Sequence, residues 1–134
     1  MKIVLANGCF DLLHYGHLRH LKAAAELGDR LWVGVTRDAF VNKGPRRPVF
    51  TEDQRLEMIR ALRFVHGAFL TVNTLAALKS LHPDVFVKGK EYRGKIELEH
   101  LRYCKEKGIK IVFTNEKIYS STKLLHHYDR IRQG

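Results

Sequence analysis

The sequence has little of what marks secreted, disulfide-rich or membrane-spanning chains. Only two of its 134 residues are cysteines. Cys9 and Cys104 lie too far apart for a metal-binding motif, so we interpret them as free thiols in a reducing compartment. No segment approaches the ~18 consecutive apolar residues of a membrane span. The first residues, MKIV, are typical of a strand rather than a signal peptide. We therefore expect a cytoplasmic protein with no membrane partner.

Acidic residues are also scarce, with 14 Asp and Glu against 24 Lys and Arg and a formal net charge of +10. Such an excess favours an anionic partner, either a nucleic acid or a substrate with several phosphates. The basic residues are spread along the chain, apart from a short group at Lys43, Arg46 and Arg47. There is neither a long basic tail nor an aromatic RNA-binding strand motif. Charge alone leaves both partners open, and the motifs below lead us to predict no nucleic-acid partner.

Short apolar segments alternate with helical patterns along the whole chain. The predicted strands cover residues 2–6, 30–36, 85–87 and 110–114. The predicted helices cover residues 16–27, 52–64, 74–81, 96–107 and 121–132. The alternation predicts an α/β fold, a Rossmann-like doubly wound domain whose mostly parallel sheet has about five strands. The length and the absence of a linker or repeat predict a single domain over residues 1–134.

Two helix boundaries carry their own signals. Thr51 followed by Gln54 predicts a capping box at the start of the second helix, with two acidic residues in the favourable first turn. Gly28 predicts the C′ residue that ends the first helix.

The segment NGCFDLLHYGHLRH, residues 7–20, carries the strongest functional signal. A strand that turns into a helix through Gly8 presents backbone N–H groups and a positive helix end to an anion. His14 and His17 are three residues apart at the start of that helix, so their side chains point the same way. This arrangement suits a polyphosphate.

Ligands in doubly wound sheets bind at the carboxyl ends of the strands. Three segments follow predicted strands directly: residues 7–17, 88–93 and 115–122. A fourth, residues 37–50, is a long polar loop of the kind that often carries function.

Several motifs resemble one family, in that family's order. GCFDLLHYGH at residues 8–17 resembles the G-x-F-D-x-x-H-x-G-H signature of the cytidylyltransferase-like nucleotidyltransferases. RRPV at 46–49 with EDQR at 52–55, PDVFVKG at 83–89 and YSSTK at 119–123 also resemble its motifs. The RPV and VKG segments are similar to heptose-phosphate adenylyltransferases, and glycerol-3-phosphate cytidylyltransferases are the second similar branch. The chain departs from the first branch at VKGKEY, where VKGGDY is common. It departs from the second at NEKI, which replaces RTEG.

The resemblance implies transfer of a nucleoside monophosphate from a nucleoside triphosphate to a phosphorylated small molecule, with release of pyrophosphate. It favours ATP and a sugar 1-phosphate. The alternative is a CTP-dependent glycerol-3-phosphate cytidylyltransferase. An alternative of another class is a non-catalytic nucleotide-binding or nucleic-acid-binding protein. The family likeness also implies a homodimer, and magnesium that accompanies the triphosphate.

The resemblance also implies roles for individual residues. The implied catalytic residues are His14, His17, Lys43 and Ser121. The implied nucleotide-binding residues are Asn7, Gly8, Cys9, Phe10, Asp11, Gly16, Lys88, Gly89, Ser120 and Thr122. The implied substrate-binding residues are Arg46, Arg55 and Arg63. For Asp11 we expect a role in bracing the turn, or in helping to hold a metal, rather than as a base. We predict no other protein ligand for a metal.

The remaining histidines belong to no recognisable constellation, so we predict surface or packing roles for them. They are His20, His66, His82, His100, His126 and His127.

Overall fold

Helices and strands alternate along residues 1–115, the part of the chain that the computed structural model describes. The strands are β1 (Ile3–Gly8), β2 (Arg30–Thr36), β3 (Gly67–Thr71), β4 (Val85–Gly89) and β5 (Lys110–Thr114). The helices are α1 (Tyr15–Ala25), α2 (Glu52–Arg60), α3 (Thr74–Leu81) and α4 (Leu98–Lys107). Short 3₁₀ turns cover Asp38–Phe40 and Lys90–Tyr92. The predicted helix at 121–132 and the predicted site residues Ser120, Ser121 and Thr122 lie outside the described residues.

The five strands form one parallel sheet in the order β3-β2-β1-β4-β5. The chain runs outward from β1 to β3 on one side and then crosses back to build β4 and β5 on the other. The strand order therefore reverses between β1 and β4, which is where doubly wound sheets bind ligands. The predicted α/β fold and strand number are confirmed.

The sheet buries an apolar layer on each face. Side chains alternate along β1, so that Val4 and Ala6 join the core beneath α1 and α2, while Leu5 joins the core beneath α3 and α4. Cys104 lies in the second core as a free thiol, and burial raises its pKa. The two faces are thus packed independently on one sheet.

Several sequence predictions about elements and their boundaries were wrong. β1 extends to Gly8, so this glycine ends the strand rather than forming the predicted turn. Strand β3 was missed, because GAFLT is short, begins with glycine and has no period-two polarity. α2 ends at Arg60 rather than at residue 64, and α4 begins at Leu98 rather than at residue 96.

Gly28 does not end α1 in the predicted way. The residue that ends the helix is Glu26, in a right-handed conformation. Gly28 does not have the positive φ that a C′ glycine usually has. A glycine is needed there for close packing instead, because an added Cβ would lie 2.7 Å from Cγ2 of Val4 and 2.9 Å from the carbonyl oxygen of Lys2.

The capping box of α2 is confirmed. The hydroxyl of Thr51 accepts a hydrogen bond from the backbone N–H of Gln54 at 3.2 Å, and the backbone N–H of Thr51 donates to Oε1 of Gln54 at 3.0 Å. This cap fixes the point where the long loop at residues 37–50 enters α2.

None of the helices within residues 1–115 is long and apolar enough to cross a membrane.

We predict that Thr51→Ala lowers the free energy of unfolding by about 1 kcal/mol, because the N–H of Gln54 loses its acceptor. Thr51→Ser keeps a hydroxyl at the same place and should retain most of that stability. Urea unfolding of the three proteins measures the difference. Equal stability of Thr51→Ala and the natural protein would show that the cap does not stabilise the fold.

Candidate active site

A pocket of about 100 Å³ opens where the strand order reverses, between the carboxyl ends of β1 and β4. It brings together many of the residues named from the sequence, which come from the β1–α1 turn, the long loop and the end of β4. Its lining consists of Asn7, Gly8, Cys9, Phe10, His17, His20, Lys43, Val87, Lys88, Gly89 and Tyr92.

The β1–α1 turn is sharp enough to use left-handed backbone at two residues other than glycine. Phe10 has a φ of 53° and Leu12 a φ of 54°. Such conformations are uncommon, and they concentrate where surrounding contacts over-determine the backbone, including active sites. The turn places His14 immediately before α1 and His17 on its first turn.

The imidazole rings of His14 and His17 stack, with their centroids 3.8 Å apart and an interplanar angle of 25°. Nδ1 of His14 accepts a hydrogen bond from the backbone N–H of Gly16 at 3.0 Å, and Nδ1 of His17 accepts from the N–H of His14 at 3.3 Å. An accepting Nδ1 leaves the proton of a neutral imidazole on Nε2. Where either ring is neutral, it therefore presents Nε2–H as its donor.

His17 stays neutral at physiological pH. Burial lowers its pKa to about 3, and positive charge at His14, Lys43, His20 and Arg47 acts in the same direction. A neutral imidazole offers a phosphate a hydrogen bond rather than a full charge. The surrounding cations supply the positive potential that attracts an anion.

Asp11 is fully buried and connects the turn to the long loop. Its Oδ2 accepts hydrogen bonds from Nε of Arg47 at 2.8 Å and from the N–H of Val49 at 2.7 Å, and its Oδ1 accepts from the N–H of Phe50 at 2.9 Å. Burial alone would raise the pKa of Asp11, but the hydrogen bonds from Phe50, Val49 and Arg47 outweigh it and hold the pKa below its usual value.

These bonds define what Asp11 does. Both carboxylate oxygens are engaged by donors of the loop, which fits the bracing role and does not fit the alternative of metal ligation. Asp11 is also absent from the pocket lining, so the structure does not bring it to the place of its predicted nucleotide contact.

Arg55 and Arg63 do not lie where a substrate-binding role would place them. Arg55 is fully buried, and its guanidinium donates to the carbonyl oxygens of Phe50 and Cys9 and to the carboxylate of Asp38. It therefore joins the loop to the turn from inside the protein. Arg63 is exposed beside Arg30, at the amino ends of the strands and so at the opposite edge of the sheet.

Other predicted residues take distinct places around the pocket. Lys43 reaches the lining from the long loop, whereas Arg46 is exposed on that loop and is absent from the lining. His14 and Gly16 support the pocket through their hydrogen bonds at the start of α1 rather than by lining it.

The ammonium of Lys88 lies 4.2 Å from the centre of the Tyr92 ring. Burial lowers the pKa of Lys88, and the carboxylates of Glu91 and Glu97 act in the opposite direction.

His20 and Tyr92 line the pocket although sequence reasoning did not select them. His20 is 4% exposed, and its Nδ1 lies 2.9 Å from the hydroxyl of Thr114 on β5. The signal for His20 was present, because it stands three residues after His17 and so continues the same helix face. The packing role predicted for His20 is therefore incomplete.

Asn7, at the end of β1, has a buried side-chain oxygen whose hydrogen-bonding capacity is unused within residues 1–115, which is unfavourable for stability. Its Nδ2 donates to the hydroxyl of Thr74 at 3.0 Å, while its buried Oδ1 accepts no hydrogen bond from residues 1–115. A buried acceptor without a donor costs about 1–3 kcal/mol. An added Cβ at Gly34 would overlap Oδ1, so that glycine makes room for the amide.

The pocket does not build a magnesium site from its own side chains. Within residues 1–115 its lining contains no carboxylate, which is the ligand that magnesium prefers.

The sequence matches a known family. Residues 5–127 match the cytidylyltransferase-like family, and the chain belongs to it. It is therefore a nucleotidyltransferase of the α/β type, with the histidine pair of its signature at the head of α1.

The curated relatives are much longer proteins. The chain is 43% identical over 97 residues to the bifunctional protein HldE of Campylobacter fetus subsp. fetus, which covers 69% of this chain and 21% of that protein. It is 46% identical over 95 residues to the bifunctional protein HldE of Gluconobacter oxydans, which covers 68% of this chain and 20% of that protein. The chain thus spans about a fifth of their length.

Solved structures show the same architecture. The lipopolysaccharide core biosynthesis protein of Thermoplasma volcanium superposes with a TM-score of 0.72 at 32% identity, covering 90% of this chain and 99% of that one. A protein of unknown function from Archaeoglobus fulgidus shares the fold, with a TM-score of 0.64 at 23% identity over 90% of this chain and 94% of that one.

We predict that Asp11→Asn destabilises the protein by about 3–5 kcal/mol, because the amide leaves the buried guanidinium of Arg47 without its counter-charge. Asp53→Asn, an exposed change on the first turn of α2, should cost only a few tenths of a kcal/mol. Urea unfolding compares the two variants. A loss no larger for Asp11→Asn than for Asp53→Asn would show that this ion pair does not hold the loop.

His17 gives the protein a dependence on pH. Its folded pKa lies below the ordinary value of 6.5, at about 3. Between about pH 6.5 and pH 3, the unfolded chain therefore binds a proton at His17 that the folded chain does not bind. The free energy of unfolding falls as the pH falls through this range.

We expect His17→Gln to flatten the decrease in unfolding free energy between pH 6.5 and 5. The slope that it removes is at most about 1.4 kcal/mol per pH unit. Urea unfolding at several pH values measures the slope, and His82→Asn, which changes an exposed histidine far from the pocket, serves as the control. Identical slopes for His17→Gln and the natural protein would contradict the low pKa.

Proposed function

We propose that the chain transfers a nucleoside monophosphate from a nucleoside triphosphate, preferably ATP, to a sugar 1-phosphate. The observation that carries the proposal is the stacked pair of His14 and His17, in which His17 is held as a neutral donor beside a pocket with basic walls. The similarity to bifunctional HldE proteins and the resemblance of the VKG segment to heptose-phosphate adenylyltransferases support a heptose-type acceptor.

In the proposed reaction an oxygen of the acceptor phosphate attacks the α-phosphorus of the triphosphate. The new oxygen–phosphorus bond forms as the bond from the α-phosphorus to the bridging oxygen breaks, and pyrophosphate leaves with that electron pair. A phosphate monoester has a second pKa near 6, so the acceptor is already largely dianionic at neutral pH. The enzyme therefore needs no general base, and its task is to align anions and neutralise charge.

The pocket residues divide this task. Nε2–H of His17 donates to the transferring phosphate, and His14 holds His17 in place and adds a second donor. Lys43 brings positive charge from the loop to the triphosphate. The triphosphate enters as its magnesium complex, in which the ion makes pyrophosphate a better leaving group.

The nucleobase takes the end of β4 in this proposal. Lys88 and Gly89 line that side of the pocket, and Tyr92 adds an aromatic wall. In this proposal the backbone groups of Lys88 and Gly89 contact the base. ATP is favoured over CTP through the resemblance to the heptose branch. The homodimer is a further part of the proposal, for which light scattering in solution is the direct measurement.

The test is pyrophosphate release with magnesium, using ATP, CTP, GTP and UTP against heptose 1-phosphate, other sugar 1-phosphates and glycerol 3-phosphate. We expect release with ATP and a sugar 1-phosphate. Release with CTP and glycerol 3-phosphate alone would establish the alternative branch. Nucleotide binding without release in any combination would favour a non-catalytic binding protein.

His17→Ala provides the mechanistic arm of the same experiment. Loss of a positioned donor should lower kcat by about 10²–10³. His82→Asn should turn over like the natural protein, because His82 is exposed and is absent from the pocket lining. Circular dichroism confirms that both variants are folded. Turnover of folded His17→Ala close to that of the natural protein would remove His17 from the mechanism.

A further inference from the structure

A second cavity, of about 290 Å³, opens on the other face of the sheet from α1. We call it the α3–α4 cleft, because the starts of α3 and α4 form two of its walls. Its polar lining comes from Thr36, Asn73, Thr74, Glu97, Glu99 and His100. None of these six residues lines the nucleotide pocket or takes part in the mechanism above, although the charge of Glu97 acts on Lys88 in the pocket lining.

Asn7 lies in the lining of both cavities. Its side chain reaches the cleft, where Nδ2 donates to the hydroxyl of Thr74 at 3.0 Å. The two cavities therefore adjoin at the end of β1, beside the turn that carries the histidine pair. A molecule in the cleft can present one end to the phosphates in the pocket.

The charge of the cleft opposes that of the pocket. Glu97 and Glu99 place two carboxylates in a chain whose formal net charge is +10. Ligating atoms of Glu97, Glu99 and His100 all lie within 4.8 Å of one another. Carboxylates repel a phosphate and accept hydrogen bonds from hydroxyl groups. The phosphate of an acceptor is thus directed towards the basic pocket, and its neutral hydroxyl-bearing part towards the cleft.

The remaining walls suit the same part of the molecule. Thr36, Asn73 and Thr74 offer hydroxyl and amide groups that both donate and accept hydrogen bonds. Phe40, 54% exposed, contributes an apolar surface to the cleft. A sugar presents hydroxyl groups at its edge and C–H groups on its faces, so it can use both kinds of wall. A three-carbon glycerol has two free hydroxyl groups and would leave much of the cleft empty.

We infer that the α3–α4 cleft binds the hydroxyl groups of the acceptor sugar and that Glu97 and Glu99 determine acceptor specificity. This inference rests on the proposed function, because it assigns the acceptor half of that reaction. It adds the residues of this chain that distinguish a sugar phosphate from a smaller phosphorylated alcohol.

The kinetic test uses the double variant Glu97→Gln/Glu99→Gln in the full chain. Each change keeps the side chain's size and removes its charge. We expect KM for heptose 1-phosphate to rise about tenfold or more, the effect of losing charged hydrogen bonds to hydroxyl groups. KM for ATP and kcat should change less than about twofold. Glu106→Gln, an exposed change on the other end of α4, is the matched control.

A binding measurement separates this inference from the proposed function. Heptose 1-phosphate is titrated into ¹⁵N-labelled protein, and amide shifts are followed at Asn73, Thr74 and Glu99. Shifts that occur in the natural protein and weaken in the double variant support the cleft even if no pyrophosphate is released, and in that case only the reaction is wrong. Turnover of heptose 1-phosphate with an unchanged KM in the double variant overturns the cleft and leaves the reaction standing.

A divalent cation is the competing occupant of the Glu97, Glu99 and His100 group. The same amides are therefore followed with MgCl₂ alone and with ZnCl₂ alone. Shifts at Glu97 to His100 with a metal and none with heptose 1-phosphate would make the group a cation site and overturn the inference.

Discussion

Asp11 accepts hydrogen bonds from three donors of the segment Arg47–Phe50, and the arrangement of the active site depends on this contact. It ties the long loop that carries Lys43 to the turn that carries the histidines. Arg55 ties the same two segments a second time, through the carbonyl of Cys9 and the carboxylate of Asp38. The side chains of Asp11, Arg47 and Arg55 are buried, so movement of either segment would leave a buried charge without its partner. The loop is therefore part of the site's framework rather than a free connection.

Different groups of the site attract the anionic substrate and donate hydrogen bonds to it. Long basic side chains around the pocket supply charge, while burial keeps His17 neutral among them. The neutral imidazole of His17, fixed in position, orients a hydrogen bond to a phosphate. The basic side chains around it provide the positive potential that attracts the anion. In our proposal, the opposite charge of the α3–α4 cleft then orients an acceptor that has a phosphate at one end and hydroxyl groups at the other.

Sequence reasoning succeeded where local patterns determine structure. The alternation of strands and helices and the capping box at Thr51 follow from short-range chemistry, and the described residues agree with them. It failed where tertiary contacts decide. The sequence around Arg55 does not distinguish it from a surface arginine. Its burial follows from tertiary contacts, which only the structure shows. β3 is a short strand without polar alternation, and its place is set by pairing with β2.

The central position of β1 has a consequence for how such an enzyme can change its substrate. The nucleotide pocket and the α3–α4 cleft contact opposite faces of the sheet, and each face has its own apolar core. Asn7 joins them at the end of one strand. In the proposed reaction, the distance between the two substrates is thus set by backbone, whereas the acceptor is recognised by the starts of helices on one face. Descendants of such a chain can acquire new acceptors by altering α3 and α4 while the nucleotide half is inherited intact.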